Sequence, residues 1–296
     1  MITRRTFLKK LGALTAAGTG TASYAFVLEP RFMLNTTVKS FTPPGWTPGL
    51  KLRAVLLADP HVVEPYMPLS RWQAVIEAAN ALAPDVVFLL GDYVSGLHPR
   101  LATVPVADTA RAAARLKAPL GVYSVNGNHD WWGDAHVQKT MQGPPEAQRA
   151  FEDAGIAVLA NRAVRLVKDG QPFWVTGTDS TVAFHNRGHG FISMADLPRT
   201  MNQVTDDAPI IHLAHEPDLF VDVPRRVSLT LSGHTHGGQL RIAGYSPVVP
   251  SGYGNRFAYG HVVENGQHLF VSGGLGVSTI PFRFGVPPEI NVLELG

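Results

Sequence analysis

Residues 52–59 read LRAVLLAD and residues 85–92 read DVVFLLGD, and each is a short apolar run that ends in an acidic residue. A continuous apolar run of this length is typical of a strand that is buried on both faces of a parallel sheet. Helical spacing of apolar residues predicts helices at residues 70–83, 106–117 and 146–154. Strands that alternate with helices in this way predict an α/β fold with a largely parallel first half.

The second half of the chain is richer in strands. Residues 163–178 predict a hairpin that turns at Asp169-Gly170, and residues 261–274 predict another that turns at Asn265-Gly266. Two further apolar runs, PIIHLAHEP and VSLTLSGHTH, predict strands that lead into histidines. We therefore predict one domain over residues 51–296 with two packed β-sheets.

Composition excludes several classes of protein. The chain has 296 residues, of which 45% are hydrophobic and 16% charged, which is a globular composition and not a disordered one. It has no cysteine, so disulfides, cysteine-ligated zinc and thiol catalysis are excluded. Without the four basic residues near the N-terminus, the formal net charge falls from +2 to −2. No basic stripe lies elsewhere, so we do not expect a nucleic acid as a stable partner.

Those four basic residues open a leader. The sequence TRRTFLK at residues 3–9 resembles a twin-arginine motif, and an apolar run rich in Ala, Gly and Thr follows it. Residues 1–28 are therefore predicted to be a twin-arginine export signal, which the export machinery would use to carry the folded protein out to the periplasm or the outer face of the cytoplasmic membrane. A membrane anchor is the alternative, but the run is short for a span. Residues 29–50 contain four prolines and are predicted to be a linker.

Polar residues of metal-ligand type follow the predicted strands in five places. They are Asp59 and His61; Asp92; Asn128, His129 and Asp130; His215; and His234 and His236. Taken singly, each is more often a turn residue, a cap or a hydrogen-bonded structural group. Together they are much stronger evidence, because the carboxyl ends of strands in an α/β sheet meet at one rim, where ligands bind.

The chemistry of this set points to divalent metals. Asp59 and His61, like His234 and His236, are two residues apart, and in extended chain such partners point to the same side. Carboxylate, amide and imidazole ligands without thiolate suit Mn, Fe or Zn. The number of ligands favours two metals, and a two-metal site needs a bridging carboxylate, for which Asp92 is the candidate.

In this order, the segments DPH, GD, GNHD, H and GHTH resemble the calcineurin-like metallophosphoesterase superfamily. The resemblance implies an α/β/β/α sandwich of two mixed sheets flanked by helices. It implies that Asp59, His61 and His236 hold one metal, that Asn128, His215 and His234 hold the other, and that Asp92 bridges them. It also implies that His129 is the catalytic histidine and that Asp130 orients it. Residues 272–290 are similar to the exported, twin-arginine branch of the superfamily.

The expected reaction is hydrolysis of a phosphodiester or pyrophosphate of a cell-envelope substrate by a metal-bridging hydroxide. A pyrophosphatase acting on a nucleotide-linked lipid A precursor is an alternative within the same class. A non-catalytic metal-binding interaction module is an alternative from another class, but the complete ligand set disfavours it. Trp131 and Trp132 follow the catalytic segment and are expected either to contact the substrate or to pack in the core beneath the site.

Overall fold

A computed structural model describes residues 4–97, 103–186 and 188–296, and over these residues the strands form two six-stranded sheets and one short hairpin. The strands are β1 (Asn35–Phe41), β2 (Leu52–Leu57), β3 (Val86–Leu89), β4 (Val122–Ser124), β5 (Ala157–Val158), β6 (Arg162–Lys168), β7 (Gln171–Gly177), β8 (Phe184–His185), β9 (Phe191–Ile192), β10 (Ile210–Leu213), β11 (Leu229–Ser232), β12 (Gly260–Glu264), β13 (Gln267–Val271) and β14 (Glu289–Leu295). The α-helices are α1 (Arg4–Ser23), α2 (Glu29–Phe32), α3 (Leu69–Ala81), α4 (Val106–Ala113), α5 (Asn128–Trp132), α6 (Ala135–Thr140), α7 (Glu146–Asp153) and α8 (Leu197–Met201).

Both large sheets are mixed. The first has the order β1-β14-β2-β3-β4-β5, in which β2 to β5 run parallel and β14 pairs antiparallel with β2. The second has the order β12-β13-β11-β10-β7-β6, with a parallel centre and an antiparallel strand at each edge. The edge pairs are the two predicted hairpins, whose turns are Asp169-Gly170 and Asn265-Gly266.

The hydrophobic core has layers that match the predicted sandwich. Leu56 and Phe88 of the first sheet pack against Ile211 and Leu231 of the second. The outer face of the first sheet is covered by α3, α4 and α7, and α8 covers part of the outer face of the second. The apolar runs of β2 and β3 are therefore buried on both sides, and the prediction of an α/β/β/α architecture is confirmed.

The region predicted to be a linker contains a strand of the first sheet. All seven residues of β1 pair in parallel with β14. The prediction of a linker over residues 29–50 is therefore wrong for Asn35–Phe41. Pro30 lies in α2, before this strand, and the other three prolines lie between β1 and β2.

The leader continues into the domain without a break. A helical run begins at Arg4, passes through a π-helical turn at Tyr24–Leu28 and ends at Phe32, while residues 1–3 of the predicted signal lie outside the described part of the chain. The carboxylate of Glu29 is fully buried and accepts hydrogen bonds from the backbone N–H groups of Gly285 (3.0 Å) and Val286 (2.8 Å). Within the described residues, the helical stretch Lys10–Phe32 is long enough and apolar enough to cross a membrane, as judged by its length and composition alone.

Candidate metal centre

The predicted ligands all follow the carboxyl ends of central strands. Asp59 and His61 follow β2, Asp92 follows β3, and Asn128 lies at the start of α5 just after β4. In the second sheet, His215 follows β10, and His234 and His236 follow β11. The two sheets thus bring all seven side chains to one rim, where ligands bind in open α/β sheets.

Asp59, His61 and His236 form one group, whose ligand-type atoms all lie within 4.8 Å of one another. Nε2 of His61 lies 3.1 Å from Nε2 of His236, which in turn lies 3.6 Å from Oδ1 of Asp59. These three residues are the set that the family resemblance assigned to one metal.

Asp92, His215 and His234 form a second group of the same compactness. Nε2 of His215 lies 3.2 Å from Oδ2 of Asp92, and Nδ1 of His234 lies 2.8 Å from Oδ1 of Asn128. The same Oδ2 atom of Asp92 lies 3.4 Å from Nε2 of His61, in the first group. Asp92 therefore lies between the two groups, as a bridging carboxylate must.

The backbone that carries these ligands is not extended. Five of them have positive φ angles: Asp59 (50°), His61 (41°), Asp92 (59°), His234 (69°) and His236 (51°). The prediction that each i, i+2 pair reaches the site from extended chain is therefore wrong, although both members of each pair do reach it. Non-glycine residues rarely adopt this left-handed conformation, and such strain concentrates at functional sites.

Two glycines allow the loops to pack directly against the ligands. A Cβ atom on Gly127 would lie 2.2 Å from Oδ1 of Asp92, and a Cβ atom on Gly233 would lie 2.6 Å from Oδ2 of Asp59. Neither distance can be tolerated, so a side chain at either position would displace a carboxylate of the centre. The glycine before His234 serves close packing and not flexibility.

The polar atoms at the centre fit divalent cations. Oδ2 of Asp59 is buried without a hydrogen-bond partner, which is costly unless another ligand satisfies it. Nδ1 of His215 donates to the carbonyl oxygen of Leu90 (2.5 Å), which leaves Nε2 free to face the centre. Metal-binding histidines commonly have such a second hydrogen bond.

The electrostatics of the centre also call for positive charge. Burial alone would lower the pKa of His215, but the adjacent Asp92 outweighs burial and raises this pKa well above its usual range. Burial would raise the pKa of Asp92, yet His215 and its neighbours hold it well below the usual range. Burial raises the pKa of Asp59 to about 7. A proton on His215 thus supplies charge that bound cations would replace.

His129 lies at the edge of the centre with its ring next to a cavity. Nε2 of His129 lies 3.2 Å from the hydroxyl oxygen of Ser278, and the ring makes an edge contact with Trp132 at a centroid distance of 4.9 Å. Its backbone N–H donates to Oδ1 of Asp92 (2.8 Å). Burial lowers the pKa of His129 to about 3, so the ring is uncharged near neutral pH.

Asp130 does not orient the His129 ring. Its carboxylate accepts hydrogen bonds from the backbone N–H groups of Asp92 (2.9 Å), Tyr93 (2.9 Å) and Gly127 (2.8 Å), and also from that of Val94. The role predicted for Asp130 is therefore wrong in this respect. This residue holds the Asp92 loop against the loop that carries Asn128 and His129, and burial raises its own pKa to about 7.

The tail of the chain supplies two residues that the sequence did not single out. Ser278 contacts His129, and the guanidinium of Arg283 lies 3.1 Å from Nδ1 of His236. Arg283 is fully buried, and it donates to the carbonyl oxygens of Gly273, Gly276 and Val286, each at 2.8 Å. An arginine inside an otherwise apolar tail was the available signal, because buried arginines need dedicated partners.

The two tryptophans play different parts. Trp131 is buried in a small core with Phe184, and its indole N–H donates to Asp179. Trp132 is half-buried, lines the cavity next to the metal ligands, and stacks on Phe191 at a centroid distance of 5.6 Å. Of the two predicted roles, the core role applies to Trp131, whereas Trp132 is placed to contact a substrate.

Comparison with known proteins gives a consistent result. The model of the family described as calcineurin-like phosphoesterase matches residues 52–238. The chain is 30% identical to the uncharacterized metallophosphoesterase YkuE of Bacillus subtilis, with 99% of this chain and 98% of that protein aligned. It is 29% identical to phosphodiesterase YaeI of Escherichia coli over the whole length of both. It is also 30% identical to a transmembrane protein with metallophosphoesterase domain of Danio rerio, over 82% of this chain and 53% of that protein.

Proposed function

The chain belongs to the calcineurin-like phosphoesterase family and is a metal-dependent phosphohydrolase, and we propose that it hydrolyses a phosphodiester or pyrophosphate of a cell-envelope substrate at a pair of divalent cations. The observation that carries the proposal is the position of Asp92, whose Oδ2 atom lies 3.2 Å from Nε2 of His215 and 3.4 Å from Nε2 of His61. Asp92 belongs to two of the three compact groups of ligand-type side chains, one with His215 and His234 and one with His61 and His129. A phosphodiester is favoured over a monoester because the relative YaeI is named a phosphodiesterase.

Asp59, His61 and His236 would hold one cation, and Asn128, His215 and His234 would hold the other, with Asp92 shared between them. When bound, such a pair supplies the Lewis acidity that activates water and offsets negative charge on the phosphoryl oxygens. The donor set of carboxylate, amide and imidazole suits Mn, Fe or Zn.

His129 would act on the leaving group. Its ring lines the cavity beside both groups of ligands, and its Nε2 atom lies within hydrogen-bond distance of the Ser278 hydroxyl. Because its pKa is about 3, the ring is neutral near pH 7. It therefore stabilises the departing oxygen by a hydrogen bond from a neutral N–H group, and a charged imidazolium is not required. Asp130 contributes by fixing the loops of Asp92 and Gly127.

The site of action is proposed to be outside the cytoplasm. The twin-arginine motif at Arg4 and Arg5 supports export, and the helix Lys10–Phe32 and the zebrafish relative's name support a link to the membrane. Replacing both residues, as R4K together with R5K, should retain the protein in the cytoplasm, as measured by fractionation. Unchanged export of this variant would contradict use of the twin-arginine route.

Turnover of bis-p-nitrophenyl phosphate tests the activity itself. The purified protein is treated with a chelator and then assayed with Mn²⁺, Fe²⁺, Zn²⁺ or Mg²⁺ added back. We expect no turnover after chelation and recovery with at least one of these cations. Absence of turnover with every cation would overturn the proposal and favour a metal-binding interaction module.

A further inference from the structure

The cavity next to the metal ligands has two chemically different sides. Its volume is about 470 Å³, and its base is formed by Asp92, His129, His234 and His236. One wall is aliphatic and aromatic, and we call it the apolar wall: Leu240, Pro247, Val248, Pro250, Ile280 and Phe282. Among the described residues that line this cavity there is no lysine or arginine. A site for a polyanionic soluble substrate would be expected to offer such cations.

Hydrogen bonds hold the apolar wall in place. The side-chain amide of Gln239 donates to the carbonyl oxygens of Ser278 (3.0 Å) and Ile280 (3.1 Å). The backbone N–H of Phe284 donates to the carbonyl oxygen of Gln239 (2.8 Å), so the two segments of the wall are joined. The wall is therefore preformed and does not need a ligand to assemble it.

The outer edge of the apolar wall is exposed to solvent. Val248 is 73% exposed and Ile280 is 51% exposed. Ile242 and Tyr245, in the turn between Leu240 and Val248, are also exposed. Large apolar side chains grouped in this way at the mouth of a cavity are typical of a surface that binds an apolar partner.

The apolar wall continues into the N-terminal helix. The ring of Phe282 packs against Phe26 at a centroid distance of 5.6 Å, and Phe26 is itself 42% exposed. The backbone N–H of Arg283 donates to the carbonyl oxygen of Ala25 (2.9 Å). Phe282 lines the cavity, and Phe26 belongs to the stretch Lys10–Phe32 that could cross a membrane, so the cavity adjoins this apolar helix.

We infer that the substrate is a membrane-resident amphiphile whose phosphodiester or pyrophosphate group binds at the metal centre while an alkyl chain lies along the apolar wall. This inference rests on the proposed function and specifies its substrate class. Hydrolysis would break the bond between phosphorus and the oxygen of the polar leaving group. The hydroxyl group of a water molecule would bond to phosphorus, and the other proton of that water would pass to the leaving oxygen.

A series of alkyl p-nitrophenyl phosphodiesters tests the inference with the full-length protein. The methyl, hexyl and decyl esters share one leaving group, and each is assayed below its critical micelle concentration. Burial of one methylene group strengthens binding by about fourfold. The apolar wall is partly open to solvent, so only some of the added methylene groups would be buried. We therefore expect kcat/KM for the decyl ester to exceed that for the methyl ester by at least about 100-fold. V248D or I280D should reduce this ratio at least tenfold, roughly the effect of losing two methylene contacts.

A matched control uses the same substitution elsewhere. Val263 in β12 is 55% exposed and does not line the cavity, so V263D should keep the wild-type ratio. No turnover of the methyl ester with any cation would overturn the proposed function itself. Turnover of the methyl ester with equal kcat/KM for all three chain lengths would overturn only the inference of an alkyl chain.

The source of the substrate needs one further measurement. The decyl ester is incorporated into phosphatidylcholine vesicles and assayed with the full-length protein. Turnover in vesicles at a rate comparable to that of the monomeric ester is expected for a membrane-resident substrate. Loss of turnover in vesicles, with the monomeric ester still hydrolysed, would assign the substrate to solution.

Discussion

Nη2 of Arg283 lies 3.1 Å from Nδ1 of His236, and both side chains are buried at the junction between the metal centre and the C-terminal tail. Burial lowers the pKa of Arg283 to about 10, so the guanidinium remains charged at neutral pH. Burial, together with His61 and Arg283, lowers the pKa of His236 well below its usual range. The ring is therefore kept uncharged, which is the form in which histidine binds metal.

Replacing Arg283 with methionine should weaken both the fold and the metal centre. Three backbone carbonyl oxygens would lose their donor, which should lower the free energy of unfolding of the chelated protein by about 3 kcal/mol. Metal content after dialysis should also fall, because His236 would lose the contact that positions it. The measurements are urea unfolding and elemental analysis.

Arg256 offers the control for that experiment. Its guanidinium is exposed and pairs with Glu264 on the surface, so R256M should lower the free energy of unfolding much less than R283M does. If R283M lost stability but kept wild-type metal affinity, Arg283 would be a structural residue of the tail with no role in positioning His236.

Asp92 should be indispensable for both cations. Its Oδ2 atom lies 3.4 Å from His61 and 3.2 Å from His215, so D92A removes a ligand from both groups at once. We expect loss of both metals and of all measurable turnover, with metal content determined by elemental analysis. Full metal occupancy in D92A would contradict a bridging role. The control is D85N, which alters a carboxylate at the opposite end of β3 and should retain both metals.

The layer order and the ligand set could be predicted from the sequence, because both depend on local patterns. The runs that became β2 and β3 are continuously apolar, and the polar residues that follow them must then lie at one rim. The left-handed backbone at Asp59 and His234 could not be predicted, since the i, i+2 spacing alone also fits an extended chain.

Long-range pairings account for the other differences. Nothing local in Asn35–Phe41 indicates that it pairs with a strand more than 250 residues later in the chain. The same holds for Glu29, which binds the backbone of residues 285 and 286. Such contacts depend on how distant segments fold together, which neither periodicity nor spacing records.

His129 should contribute to catalysis without holding a metal. H129A is expected to lower kcat by about 10²- to 10³-fold, the usual cost of removing one hydrogen-bond donor from a developing negative charge. Metal content should remain at the wild-type value, because the ligands of both groups are untouched. H261A, which alters an exposed histidine in β12, should leave kcat unchanged. Near-normal turnover of H129A, or loss of its metal, would disprove the assigned role.

His212 should make the fold sensitive to acid. Burial lowers the pKa of His212 to about 3; its Nδ1 lies 2.9 Å from the hydroxyl of Thr176, and its Nε2 has no partner. An unfolded histidine has a pKa of about 6.5, so between these values the unfolded chain binds one more proton than the folded chain. The neutral His212 ring makes its full contribution to the free energy of unfolding above pH 6.5. This contribution is lost as the pH falls towards 3, by up to about 1.4 kcal/mol per pH unit.

The variant H212Q tests this prediction, because glutamine does not titrate. In urea unfolding between pH 6 and pH 4, the free energy of unfolding of H212Q should depend on pH less steeply than that of the wild type, by this amount. Equal slopes for the two proteins would mean that His212 is protonated in the folded state.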